Sequence, residues 1–201
     1  MRGSAKLGLS LVVAGVALVG WTGAAYARGW LAQSRARAAW EARVAHAEVQ
    51  RARDFGATAA GVLAEGAPVA RLLVPKIALD DIVLEGVTPD VLNGGPGHLP
   101  GSALPGESGN AVVSAHRDRH FRRLGELATG DTVVTETEGG RTSWRVVGRT
   151  VVNKDAPVIR RESGRVLTLT TCWPIGYLGG APERLILRAV PLDAKIVAAR
   201  D

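Results

Sequence analysis

Two side chains of this chain have the chemistry of a nucleophile and its base. Cys172 is the only cysteine among the 201 residues, so no internal disulfide can form and the thiol is inert, bridged to another molecule, or reactive. Alternation along Val166-Leu167-Thr168-Leu169-Thr170-Thr171-Cys172 places Cys172 at a strand end on the more polar face, before the strand-breaking run Trp173-Pro174-Ile175-Gly176. His116 likewise follows an apolar strand, Ala111–Ala115. A thiol at one strand end and an imidazole at another are the two parts that nucleophilic acyl transfer needs, because a nearby base raises the fraction of reactive thiolate. Arg184 opens the strand after an 11-residue loop. If the two strands pair antiparallel, its guanidinium returns to the thiol and can donate to an oxyanion, while Arg188 lies about 13 Å further along.

A second constellation competes. In His116-Arg117-Asp118-Arg119-His120 a continuing strand would point two imidazoles and a carboxylate one way, as a metal requires. The intervening arginines would repel a cation, and Phe121–Ala128 reads as a helix starting just there. The same segment contains His-Arg-Asp, but no glycine-rich nucleotide loop precedes it and no Asp-Phe-Gly follows.

The elements that must position these residues are extended. Val69–Ala78, Asp81–Val87, Asn110–Ala115, Thr132–Thr137, Arg141–Asn153, Arg165–Cys172 and Arg184–Val190 are short runs rich in Val, Ile, Leu and Thr, separated by Gly, Pro and Asp. The reading is a mainly β domain over 68–201, a closed barrel or sandwich of seven or eight strands, with Phe121–Ala128 its one helix.

Ahead of it, residues 7–27 carry no charge over 21 positions, enough for a helix to cross the roughly 30 Å hydrocarbon core. Trp21, Tyr26 and Trp30 cluster at the far end, and Arg2 and Lys6 in the tip 1–6 suit a cytoplasmic amino end. The small-x-small triplet Ala25-Tyr26-Ala27 also fits a cleaved signal, although the apolar stretch exceeds a typical signal core. Residues 28–67 read as a solvated helical stalk and linker, apolar only at Trp30, Trp40 and Val44. Charge follows the same division. Eight of the 25 Lys and Arg precede residue 54, against only Glu41 and Glu48 of the 19 acids, so the net +6 is reached there and the domain beyond is neutral. A neutral domain on a basic stem argues against nucleic acid as a partner and for the neighbourhood of a membrane.

Three motifs in order resemble the sortase family. Thr168-Leu169-Thr170-Thr171-Cys172 fits its TLxTC signature, Gly109–Arg117 its GNxxxxAHR segment, and Gly97-His98-Leu99-Pro100-Gly101-Ser102 its G-H-x-P-G-S loop. Arg184, twelve residues after the cysteine, fits as well, and the resemblance runs from about Leu72 to Val190. It implies an eight-stranded sortase barrel on a single-pass anchor in the bacterial cytoplasmic membrane, with the catalytic domain outside. The implied activity is cysteine transpeptidation. An LPxTG-like signal near the carboxyl end of an exported client is cleaved after its threonine, held as a thioester and passed to an amine at the cell surface, or hydrolysed when no amine is present. By the same resemblance Cys172 is the nucleophile, His116 the acid/base partner and Arg184 the oxyanion or substrate-orienting group. Thr171 helps position substrate, and Pro157, Val158 and Ile159, in the loop before the cysteine strand, line the signal groove. No cofactor is implied. Trp173-Pro174 and the His-Arg-Asp form are similar to class D and the Gram-negative type, which more often read Tyr-Pro-Phe after the cysteine. A thiol hydrolase without transfer, a metal hydrolase on His116, Asp118 and His120, and a non-catalytic exported binding module are the competing functions.

Overall fold

The computed structural model describes residues 2–51, 63–158, 162–177 and 179–192. A long helix, α1 (Arg2–Arg51), precedes eight strands: β1 (Pro68–Val74), β2 (Leu79–Glu85), β3 (Gly97–His98), β4 (Gly109–Ser114), β5 (Thr132–Thr137), β6 (Gly140–Asn153), β7 (Arg165–Trp173) and β8 (Glu183–Pro191). A six-residue helix, α2 (Pro89–Gly94), lies between β2 and β3. The strands close into a barrel in the order β1-β2-β3-β4-β7-β8-β6-β5, so no edge is left open. All seven expected strands form, most within two residues of the expected limits; β1 stops at Val74 because Pro75–Ile77 turns as a 3-10 helix.

Alternation builds the core. Leu72, Val83, Ala111, Val113, Val133, Trp144, Leu167, Leu169, Leu185 and Leu187 point inward and are buried. The indole of Trp144 donates to Thr135 Oγ1 at 2.8 Å, so the largest buried side chain leaves no polar atom stranded.

Three expectations change. Phe121–Ala128 is not an α-helix: it is a series of turns with a single 3-10 turn at Leu124–Glu126. The reason lies in the spacing of Phe121, Leu124 and Leu127, all buried, since every third residue suits the three-per-turn 3-10 form. Gly130 just beyond takes a left-handed conformation, φ +99°. Second, α2 and β3 carry no periodic signal at six and two residues. β3 exists because Gly97 allows close approach; a Cβ there would stand 2.2 Å from the Gly86 carbonyl.

Third, the expected solvated stalk is a docked helix over its described length. Trp40 and Ala36 are buried against Ile82, Leu84 and Val91, with Val44 packed alongside. Burying a side chain such as Ile82 contributes about 1.5–3 kcal/mol. The Gln33 amide donates to the Ile82 carbonyl at 2.9 Å and accepts from the Ile82 N–H at 3.0 Å, doing for β2 what a neighbouring strand would. Arg37 pairs with Asp80, and Arg43 with Glu138 and the Pro68 carbonyl. Of the few apolar residues of this stretch, Trp40 and Val44 share one contact line with Ala36, while Trp30 stays exposed. By contrast Leu11, Val12, Val13, Val16, Leu18 and Val19 are all at least 60% exposed, an apolar surface over consecutive turns.

Candidate active site

The site is built at one end of three adjacent strands. β7 pairs parallel with β4, with Ser114 opposite Thr170, and antiparallel with β8, with Cys172 opposite Arg184. Extending the parallel register by two residues brings His116 beside Cys172, one strand spacing of about 4.8 Å away. Contact persists past the end of β4: the Ala115 N–H donates to the Thr170 carbonyl at 3.2 Å, and Thr171 Oγ1 donates to the Ala115 carbonyl at 2.7 Å. The thiol therefore stands in the middle strand, exposed, with the imidazole on one side and the guanidinium on the other. All three face outward from the barrel, because Ala115 and Leu185, next to His116 and Arg184, and Leu169, three residues before Cys172, point into the core.

Their surroundings differ from those of their neighbours. His116 is half-buried, and its ring has no hydrogen-bond partner among the described residues. Burial holds its pKa below the ordinary histidine range; Asp118 works in the opposite sense, while Arg119 and His120 add to the depression. Arg184 likewise has no ion-pair partner among the described residues, whereas Arg188 is bound to Glu162 at 2.7 Å. Only the first is free to meet a developing charge. A thiol, an imidazole and a guanidinium gathered at one end of the barrel are the groups that acyl transfer draws on.

The outward face continues away from the thiol through Thr170, Thr168 and Val166 of β7, with Ser114, Val112 and Asn110 beside them on β4 and Ile186 and Arg188 on β8. At its far end Asn110, Thr150, Thr168 and Ile186, with Pro157 and Val158 from the loop after β6, enclose a hollow of about 60 Å³. Asn110 holds that loop to the floor: its amide donates to the Val158 carbonyl at 3.2 Å and its oxygen accepts from Thr168 Oγ1 at 2.7 Å. Thr168 to Cys172 is four residues, about 13 Å. Pro157 and Val158 thus stand on the thiol's face but at a distance, and Ile159 lies outside the described residues. Thr171 faces the core, buried, with its hydroxyl occupied by Ala115; it fixes the strand that carries His116 and does not lie on the thiol's face.

Two contributors escaped the sequence reading. Arg117 donates to the carbonyls of Pro174 at 2.8 Å and Gly179 at 2.5 Å and lies 5.8 Å from the Tyr177 ring centre, so it ties the β7–β8 loop to the His116 turn. Its place directly after the histidine in the motif was the available signal. Thr170 Oγ1 is fully buried and has no hydrogen-bond partner among the described residues. Nothing in its residue type announces that.

The metal arrangement does not form. β4 ends at Ser114, and the Arg119 and Phe121 N–H groups fold back onto the His116 carbonyl. His120 instead faces Asp81 at 2.8 Å, and no group of three or more metal-ligating side chains exists among the described residues.

Comparison with known proteins gives the family. The Sortase domain family model matches residues 72–192, more than half of the chain. Sortase D of Bacillus subtilis (strain 168) is 38% identical over 118 residues, 58% of this chain and 60% of that protein. The chain thus matches less than two thirds of that relative's length. Among solved structures, a Clostridium perfringens sortase D5 transpeptidase superposes with a TM-score of 0.66 at 21% identity, covering 80% of this chain and 98% of that one. A Clostridium perfringens sortase C with the C-terminal cell wall sorting motif gives 0.60 at 27% identity, covering 66% and 74%. The barrel, the three ordered motifs and this span of similarity, class D included, establish that the chain belongs to the sortase family.

Proposed function

We propose that this chain is a membrane-anchored cysteine transpeptidase acting on an LPxTG-like signal of an exported protein, with residues 68–201 as its catalytic domain. The observation that carries the reading is the register of β4, β7 and β8, which sets Cys172 between His116 and Arg184. The Cys172 thiolate attacks the threonine carbonyl, and Arg184 donates to the oxygen as it gains charge. As the peptide C–N bond breaks, the His116 imidazolium gives its proton to the departing amine and the acyl group stays on sulfur as a thioester. An incoming amine gives up a proton to His116, attacks the thioester and regenerates the thiolate; water in its place yields hydrolysis.

The spacing along β7 supports the substrate length. An extended peptide advances about 3.3 Å per residue, so the roughly 13 Å from Thr168 to Cys172 holds four residues ahead of the scissile bond. Pro157, Val158 and Ile159 would cover the leading apolar residues and Thr171 would act by holding the His116 strand. The exposed apolar turns from Leu11 to Val19 support the single-pass anchor, with the barrel on the extracytoplasmic side of the bacterial membrane. The test is to incubate the full chain in detergent with an LPxTG peptide, with and without triglycine. A transpeptidase gives the triglycine adduct when the amine is present and free acid when it is absent. Free acid alone in both would leave a hydrolase, and no turnover would leave a binding module.

A further inference from the structure

Where α1 meets the barrel a cavity of about 430 Å³ opens, which the proposed mechanism does not use. Tyr26, Gly29 and Trp30 form its helix side, and Ala78, Arg119 and Arg122 stand opposite. Its charges are unevenly matched. Asp80 is held by Arg71 at 2.8 Å and by Arg37, Asp81 by His120 at 2.8 Å, and Arg123 by Glu126 at 2.7 Å. Arg122 has no ion-pair partner among the described residues. Arg119 has no carboxylate there either; it lies 5.4 Å from the Tyr26 ring centre and reaches the Asn93 carbonyl at 3.4 Å. An adjoining hollow shares Gly29, Asn93 and Arg119 and adds Arg28, with Asp90 opposite. The local surplus is therefore cationic.

Height decides what that surplus would meet. Tyr26 is the penultimate residue of the uncharged stretch 7–27 and Trp30 lies three residues past its end, about 4.5 Å at 1.5 Å per residue. The polar layer on each side of a bilayer is roughly 5–7 Å deep. Both rings are exposed, at 64% and 72%, as aromatic side chains at a lipid interface are. Guanidinium groups at that level face phosphates, which their planar forks hold in two-pronged contacts.

We infer that this cavity binds the phosphate of an anionic phospholipid headgroup, held by Arg119 and Arg122 with Tyr26 and Trp30 against the glycerol region. The inference rests on the membrane-anchor reading above. It also links the bilayer to the site, because the Arg119 N–H donates to the His116 carbonyl at 3.3 Å.

The test uses the full chain in nanodiscs of equal phosphatidylcholine and phosphatidylglycerol, with native mass spectrometry of the lipid retained on release. The wild-type chain keeps phosphatidylglycerol in preference to phosphatidylcholine. Arg119→Gln and Arg122→Gln each lower that retention about fivefold and together about 25-fold, while Arg145→Gln, exposed on β6 and lining neither hollow, leaves it unchanged. Equal retention of the two lipids, or of phosphatidylglycerol by the double variant, overturns the headgroup site. Displacement of the lipid by excess inorganic phosphate overturns it too, assigning the cavity to a free anion. Flotation with phosphatidylcholine vesicles separates the underlying reading: wild type and double variant both float if the anchor is real, and failure of both overturns anchor and site together.

Discussion

The loop around His98 and the rim around His116 use the same residue types to opposite ends. His98 is buried, with Nδ1 against Glu85 at 2.6 Å and Nε2 against the Ala103 carbonyl and Ser102 Oγ, each at 2.9 Å. Ser102 in turn donates to the Leu99 carbonyl and accepts from the Val112 N–H. Every polar atom there is engaged, and the loop leading into β4 is fixed by it. At the rim, the His116 ring and the Arg184 guanidinium have no partners among the described residues, the Cys172 thiol is exposed, and Thr170 Oγ1 is buried without a partner. Motif residues whose bonds are complete hold the fold, whereas the exposed thiol and the unpartnered imidazole and guanidinium keep their bonding capacity unused.

The comparison would break most visibly at the thiol. Cys172→Ala and His116→Ala should each abolish peptide turnover while thermal melts stay at the wild-type temperature, since an exposed thiol and an unpartnered ring contribute little to the fold. A melt lowered as far as the activity would show that the rim is structural after all. His98→Ala should do the reverse: it strands the Glu85 carboxylate and the Ser102 loop and costs about 1–3 kcal/mol in denaturant unfolding. Turnover by the fraction still folded should persist, and a fully folded, inactive His98→Ala protein would contradict the division.

The two arginines of β8 sharpen it further. Arg184→Lys should reduce kcat/KM about 10-fold or more, because an ammonium lacks the forked donor geometry. Arg188→Lys should stay near wild type, its ion pair with Glu162 needing only one bond. Equal effects would remove the distinction between free and paired guanidinium. The smallest effect is on the imidazole itself. Burial, Arg119 and His120 depress its pKa and Asp118 raises it, so Asp118→Asn should move the His116 NMR titration to lower pH and Arg119→Gln to higher pH. Shifts of one sign in both variants would mean that the ring does not sense these charges.

Much of the barrel is legible in the residues because each strand carries its own alternating signal; β5 was expected at Thr132–Thr137 and forms there. The candidate site was legible for a different reason, that Cys172 and His116 each end a strand inside a recognisable motif and Arg184 follows the cysteine by twelve residues. What failed were elements without a local period. Phe121, Leu124 and Leu127 read as a helix, and only their burial at the barrel's end selects the 3-10 turn. Trp40 and Val44 read as isolated apolar residues on a polar stalk, and Ile82 and Leu84 supply the surface they pack on.

By itself the sequence determined the spacing of the strands, the length of the apolar helix and the residue types of the site, since all three follow from local chemistry repeated along the chain. Only the tertiary structure decided which of them meet. His116 and Cys172 are 56 residues apart and become neighbours because β4 and β7 pair in parallel, a register that no stretch of either strand encodes alone. The same holds for what is left unpaired: Arg188 finds Glu162 and Arg184 finds no carboxylate among the described residues. That difference arises from which loop folds over which end of a shared strand, and it separates a supporting arginine from one free to bind charge.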